Sequence, residues 1–391
     1  MPVSLSDPEC QSTKLKAMAI APKFTGIISL ISSSFIILHV IRDPRRRNLT
    51  YHRLLLGMSV SDFFGSLMCF LSTWPIPRGE ACLAVGTTTT CTVQGFFNQT
   101  AALCTPTYNI SLAIYYVLVI VRGWKQTDVS KVEKYLHALP LIAGFGTGFA
   151  GLVLELYNGA GWICWIAPSP NNPDRDDKLY GIFRLAFLYA DAWAIIIFLS
   201  MCMCLIYYHV LSQEKKLDKY RTSFAQKKRK QSKKIRNQAF LYVGCVYMTW
   251  IFGSVFRIMQ FAGKPPPTII AVLFVTFFPL QGFFNLVVYM FPRIMRYFEE
   301  GVPLTQSFDR RRSSYLSSLV ATARNSINRR RSSQFSFAFG VGENHEQEHV
   351  REMNEDKSND DALEKAATDN EKSKVDEEKD SIDELQSIVE A

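Results

Sequence analysis

Five ionisable side chains stand inside otherwise apolar stretches: Asp62, Glu155, Arg184, Asp191 and Arg257. Charge is costly in hydrocarbon, so each needs a partner, a proton, an ion or a ligand. Arginines at such a depth can meet an anion. An isolated carboxylate such as Asp62 needs a partner, a proton or a cation. Amides and hydroxyls accompany these charges. Between Cys91 and Arg122, the residues Cys91, Gln94, Asn98, Thr105, Asn109 and Tyr116 fall in one narrow arc, taking about 100° per residue. Phe96, Phe97, Leu103, Ile110, Ile114 and Val117 occupy the other faces. A buried amide without a partner is expensive, so the stripe must face protein or trapped water. No span carries a Ser/His/Asp or paired-carboxylate arrangement suited to catalysis, and the nine cysteines lack zinc-like spacing. The chemistry is that of binding and switching, with no enzyme activity, metal centre or cofactor expected.

The elements that hold these groups are long apolar runs, at about 21–41, 54–74, 91–122, 135–157, 179–210, 237–262 and 268–291. Each is of bilayer-crossing length. The expected fold is an all-α seven-helix transmembrane bundle. Gly144, Gly148 and Gly151 make a small-residue face on the fourth run, suited to close helix contact. The loops at 42–53, 122–134 and 211–236 are rich in Lys and Arg, whereas those at 75–90, 158–178 and 262–267 are not. That bias places the N-terminus outside and the tail in the cytoplasm, with the plasma membrane as the expected location. The segment FPRIMRYFEE after the seventh run reads as a short amphipathic helix on the inner surface. Three regions are expected: a short extracellular N-terminus (1–20), the helical domain (21–300), and a cytoplasmic tail (301–391) that is basic and Ser-rich to 342 and acidic beyond. The acidic composition of 343–391 predicts disorder.

Sidedness sorts the remaining signals. Cys91 and Cys164 both face the oxidising side, so a disulfide joining that outer loop to the third helix is the natural pairing. Cys10 and Cys82 are available for a second bridge. The polybasic run KKRKQSKK lies beside a membrane, which favours anionic lipid or a cytosolic partner over nucleic acid.

Cys91, Gln94-Gly95-Phe96-Phe97 and Gln99, then Cys164-Trp165, then Leu280-Gln281-Gly282-Phe283-Phe284-Asn285 with Tyr289, occur in that order. In these motifs the chain resembles the cyclic-AMP-receptor-like family of seven-helix G-protein-coupled receptors, and secretin/adhesion receptors share parts of the patterns. The resemblance spans roughly residues 20–300. It implies an agonist-operated receptor that couples to a heterotrimeric G protein and carries a Cys91–Cys164 disulfide. Asn285 and Tyr289 resemble the Asn-Pro-x-x-Tyr switch of rhodopsin-like receptors with Leu286 in place of proline. The Asp-Arg-Tyr triplet of those receptors is absent, with Ile114-Tyr115-Tyr116 at that depth.

The candidate ligand pocket comprises Gln94, Asn98, Glu155, Arg184, Asp191 and Arg257, for a ligand that could be small, anionic and cyclic-AMP-like. Arg184 and Asp191, seven apart, are expected on one helix face. Internal ion pairing of Arg257 with Glu155 or Asp191 is the competing arrangement. Asp62, Thr105, Asn109, Gln281, Asn285 and Tyr289 form the candidate switch, a polar network able to hold Na⁺ near Asp62, with plain packing polarity as the alternative. Arg122, Lys227, Lys228, Arg229, Lys233 and Lys234 are the candidates for G-protein contact. Ser313, Ser314, Ser332 and Ser333 follow arginine triplets that suit tail kinases. Anionic membrane lipids complete the expected partners. A retinal pigment is excluded by the lack of lysine in 268–291. A channel or transporter would show repeats or broken helices; no repeat is visible, and Pro106 alone makes a kink. A non-signalling membrane scaffold is the remaining alternative.

Overall fold

The computed structural model describes residues 10, 12–168, 177–217 and 223–300. Seven spans are formed by α1 (Thr13–Arg42), α3 (Thr50–Leu71), α4 (Thr88–Tyr116, extended by a π-turn Val117–Val121), α5 (Gln126–Val153), α6–α7 (Asp177–Arg184 and Ala190–Leu217), α8 (Ser223–Phe261) and α9–α10 (Thr268–Phe277 and Gln281–Glu300). A short α2 (Pro44–Arg47) turns the chain between α1 and α3, started by Asp43, whose side chain accepts from the Arg45 N–H, with Pro44 at its first position. Six of the spans are long and apolar enough to cross a membrane by length and composition among the described residues. The remaining span, α8, opens with the basic run and turns apolar from Phe240 to Phe261, where Arg257 is the one charge. The chain is a multi-pass, seven-helix membrane protein. Residues to Met290 pack as one compact unit. A second unit begins at Phe291, and its described part is the end of α10. No break separates the seventh span from residues 291–300.

Burial explains why α4 is central. Of its apolar window 67% is buried, against 28–44% for the other five membrane-length helices. All six residues of its polar arc are buried. Its N-terminus is fixed by a capping box: Thr87 and Thr90 each accept from the other's backbone N–H, at 3.3 and 2.8 Å. Opposite the arc, Phe96 packs on Phe149 and Phe97 stacks on Phe64, with centroids 5.1 and 5.6 Å apart. On α5, a Cβ at Gly144 or Gly148 would come within 2.3 Å of Cys104 Sγ or Thr100 Oγ1 respectively. Glycine is what allows α5 to lie this close to α4.

Prolines mark departures from regular helix. Pro22, Pro106 and Pro140 all lie inside helices. In the seventh span the α-helix gives way to a 3₁₀ turn, Phe278–Leu280, around Pro279. Proline lacks the N–H that would continue the ladder, and the tighter turn absorbs the loss.

At the end carrying the cysteines, a hairpin of β1 (Tyr157–Gly159) and β2 (Cys164–Ile166) folds down onto α4. Disulfides join Cys91 to Cys164 and Cys10 to Cys82. At the basic end, Glu133 on α5 pairs with Arg53 and accepts from Thr50 Oγ1 at 2.9 Å, joining α5 to α3.

Candidate functional site

The hairpin acts as a lid, and polar side chains of α4 hold it down. Gln94 donates to the Met68 and Ser72 carbonyls at 2.9 and 2.8 Å, and its Oε1 accepts the Cys164 N–H at 3.0 Å. Gln99 accepts from Trp165 Nε1 at 2.7 Å and donates to the Phe187 carbonyl at 2.7 Å. Ser72 Oγ lies 3.2 Å from the Ala19 carbonyl and 3.1 Å from that of Trp162. Arg184 Nε donates to the Ile166 carbonyl at 2.7 Å. These contacts leave the strand Cys164–Ile166 at most 4% exposed.

Under the lid is a small cavity, walled by Trp162 and Trp165 of the lid, Asn98 of α4, Tyr189, Arg257 of α8, and Phe274 and Phe278 of the seventh span. Arg257 is 8% exposed. Its Nε donates to Tyr189 Oη at 2.9 Å and another guanidinium N–H donates to Gln260 Oε1 at 2.5 Å. Its carbon lies 5.1 Å from the Trp165 ring and 5.4 Å from that of Tyr189. Neither Glu155 nor Asp191 pairs with it. A desolvated guanidinium with two neutral acceptors and aromatic faces keeps its positive charge uncompensated. Such a group can bind an anion whose remaining surface is flat and apolar.

A second small cavity lies deeper and shares Asn98, Ala102 and Phe278 with the first. Asp62, Thr105 and Gln281 line it. Asn285 donates to Asp62 Oδ2 at 2.6 Å, and the Thr105 hydroxyl also reaches Asp62. Ser66 at its edge donates to Ser29 Oγ at 2.8 Å, and the same oxygen accepts the Gly282 N–H at 3.0 Å, joining α3, α1 and α10. Gln281 Nε2 is buried without a partner. Phe278 is placed between two indoles, 6.2 Å from Trp162 in the lid and 5.8 Å from Trp250 on α8. At the basic end, Tyr289 is 1% exposed. Arg46 of α2 donates to its hydroxyl at 2.9 Å while holding Asp43 at 3.1 Å.

The candidates read from sequence divide among several places in the bundle. Of the pocket candidates, Asn98 and Arg257 line the cavity; Gln94, Glu155, Arg184 and Asp191 do not. Gln94 and Arg184 are occupied by backbone atoms of the lid and its surroundings. Glu155 is exposed in the turn after α5 with φ 53°. Arg184 and Asp191 are separated by a π-turn, Leu185–Tyr189, so the 3.6-residue repeat does not carry from one to the other. The expected ion pair of Arg257 is replaced by Tyr189 and Gln260. Asp62, Thr105, Gln281 and Asn285 do come together, whereas Asn109 lines a different cavity and Tyr289 belongs to the Arg46 contact. Arg122 is exposed at the end of the π-turn after α4. Lys227, Lys228, Arg229, Lys233 and Lys234 fall in the first turns of α8, with side chains outside the described set. Ser313, Ser314, Ser332 and Ser333 lie outside the described residues. Sequence reasoning missed Tyr189, Phe274 and Phe278 as cavity walls, and the contact of Arg46 with Tyr289. It also missed Lys23, which donates to the Leu71 carbonyl at 3.0 Å and sits 3.8 Å over Trp74. Only the lid aromatics had a visible signal, the apolar GWICWI in an outer loop.

No family model matches the chain. The ascaroside receptor GPR3 of Arthrobotrys oligospora is 26% identical over 191 residues, a match covering 47% of this chain and 41% of that protein. Squid rhodopsin superposes with a TM-score of 0.54 at 13% identity, over 74% of this chain and 87% of the rhodopsin. At that identity the likeness concerns fold, and the chain therefore has the seven-helix membrane architecture seen in rhodopsin.

Proposed function

We propose that this protein is an agonist-operated receptor that passes an extracellular signal to a heterotrimeric G protein. The observation that carries the reading is Arg257: buried, without a carboxylate, and facing a lidded aromatic cavity. Buried charges in membrane helices are costly and concentrate at functional positions. The resemblance in sequence motifs and the name of the curated relative point the same way. The ligand is anionic with an apolar or aromatic body; cyclic nucleotides and ascarosides are the first two classes to test.

An anion on the guanidinium competes with Tyr189 and Gln260 and presses on the edge-to-face row Trp162–Phe278–Trp250. Phe278 opens the 3₁₀ turn of the seventh span, so its displacement reaches Asn285 and the Asp62 cavity. The oxygen-rich donor set of Asp62, Thr105, Ser61 and Ser66 suits a hard monovalent cation, which would supply counter-charge to Asp62 there. Release of Tyr289 from Arg46 then frees the basic end of the bundle. The loops 122–134 and 211–236 meet the G protein, and the tail with its Arg-Ser motifs is the substrate for kinases. A ligand can shift this equilibrium only by its differential affinity for the two states.

The test is guanine-nucleotide exchange on co-expressed Gα with each ligand class, comparing wild type with Arg257→Met. An agonist should lose about tenfold or more in potency on Arg257→Met, the cost of a charge-assisted hydrogen bond. Equal potency on both proteins would remove Arg257 from the ligand site.

A further inference from the structure

Lys23 stands apart from the sites described so far. From Phe24 to Ile41 the first span holds no Asp, Glu, Lys or Arg. The step from Lys23 to Arg42 rises about 28 Å at 1.5 Å per residue, close to the roughly 30 Å of a bilayer's hydrocarbon. Lys23 therefore sits at lipid-headgroup level, at the disulfide end. Its Nζ donates to the Leu71 carbonyl, which also accepts the Trp74 backbone N–H at 3.0 Å, and it lies over the Trp74 ring. The side chain is half-buried. Among the described residues no carboxylate pairs with it, nor with Lys14 or Lys16 in the turns above. An ammonium has three N–H donors; Leu71 takes one, and the indole face attracts the charge without accepting a hydrogen bond. The Trp74 Nε1–H has no acceptor among the described residues either, and this side chain is 40% exposed. Below them Phe24, Ile27, Ile31 and Phe35 of α1 are exposed, an apolar track about 16 Å long, one leaflet's depth.

We propose that Lys23 and Trp74 form a binding site for the phosphate of a glycerophospholipid, seated between the ends of α1 and α3 with an acyl chain along Phe24, Ile27, Ile31 and Phe35. Phosphate oxygens supply the acceptors that both donors lack, and an unneutralised cation favours a lipid of net negative charge. The position ties the occupant to the lid. Leu71 is followed by Ser72, whose Oγ lies 3.1 Å from the Trp162 carbonyl and whose own carbonyl accepts from Gln94. A lipid that bridges α1 and α3 here braces the corner on which the hairpin rests, and by binding only the folded bundle it stabilises it.

The experiment uses the full chain labelled with 5-fluorotryptophan in maltoside micelles, followed by ¹⁹F NMR. The Trp74 resonance is the one of six lost in Trp74→Phe. Dioleoylphosphatidylglycerol should shift it saturably, and Lys23→Gln should weaken that binding about tenfold, the cost of one charge-assisted hydrogen bond. Lys23→Arg should retain most of it. Dioleoylglycerol, with the same chains and no phosphate, should bind about tenfold or more weakly than the phospholipid, and inorganic phosphate should leave the resonance unmoved. The phospholipid should also raise the unfolding temperature of wild type more than that of Lys23→Gln. A helical far-UV spectrum identifies which variants are folded; if Lys23→Gln is not, the two lipids compared on wild type and on Lys23→Arg decide. Equal affinity of Lys23→Gln and wild type, or of wild type for the two lipids, would overturn the site. A saturable shift by inorganic phosphate alone would overturn the lipid as occupant in favour of an anion from solution. Binding with no rise in unfolding temperature would keep the site and overturn its bracing role. None of these outcomes depends on the receptor reading.

Discussion

The disulfide end and the middle of the bundle differ in how fully their long polar side chains are paired. In the lid, long side chains are matched to backbone atoms and to one indole: Gln94 makes three hydrogen bonds to backbone, and Gln99 bonds the Trp165 indole and the Phe187 carbonyl. Tyr157 Oη donates to the Gly148 carbonyl at 2.8 Å, and Asn158 to that of Ala167 at 3.0 Å. In the middle, Asn109 Oδ1, Gln281 Nε2, Trp250 Nε1 and Ser59 Oγ are buried without partners. A fully paired network specifies one arrangement, whereas an incompletely paired one leaves neighbouring arrangements close in energy. The difference separates a part built to stay from a part able to change.

Breaking the covalent tie should have the largest effect. Cys164→Ser removes the bridge to Cys91 and should cost about 2–5 kcal/mol, read as a fall in thermal unfolding temperature in nanodiscs. A variant that melts with wild type would mean the lid is held without it. Next comes Gln94→Leu, which strips partners from the Cys164 N–H and the Ser72 carbonyl, while the Met68 carbonyl keeps the Ser72 N–H. At about 1–3 kcal/mol for each buried group left unpaired, it should destabilise nearly as much as loss of the disulfide. The middle should respond differently. Asp62→Asn removes a charge that accepts from Asn285 and should change agonist-stimulated exchange and its sodium dependence about tenfold, with a smaller change in unfolding temperature. If its whole effect appeared in melting, the division between the two regions would fail. Smallest is Arg46→Ala. Loss of one hydrogen bond to Tyr289, worth about 1 kcal/mol, should raise ligand-free exchange about fivefold; unchanged basal exchange would show that this contact is not a restraint.

What the sequence revealed depended on how local the cause was. The arc on α4 follows from helical periodicity, and all six of its residues are buried. The cysteine pairing follows from sidedness together with the family resemblance. By contrast, the partners of Gln94 are backbone atoms 22 to 70 residues away, and no pattern of residue types announces a backbone acceptor. The face shared by Arg184 and Asp191 was lost to a π-turn, which one extra residue per turn produces without a compositional mark. The 3₁₀ turn in the seventh span had its signal in Pro279, overshadowed by the motif that follows it. Arg257 was legible as a costly charge; its neutral partners required three dimensions.

The shut hairpin also has a kinetic consequence. With Cys164 bonded to Cys91 and Ile166 fully covered, the hairpin narrows the route from the aqueous side to Arg257. Arrival and departure through one door are slowed by the same factor, which leaves the equilibrium constant where it was. On the receptor reading, an agonist that has to pass the hairpin would remain bound longer than its affinity alone suggests.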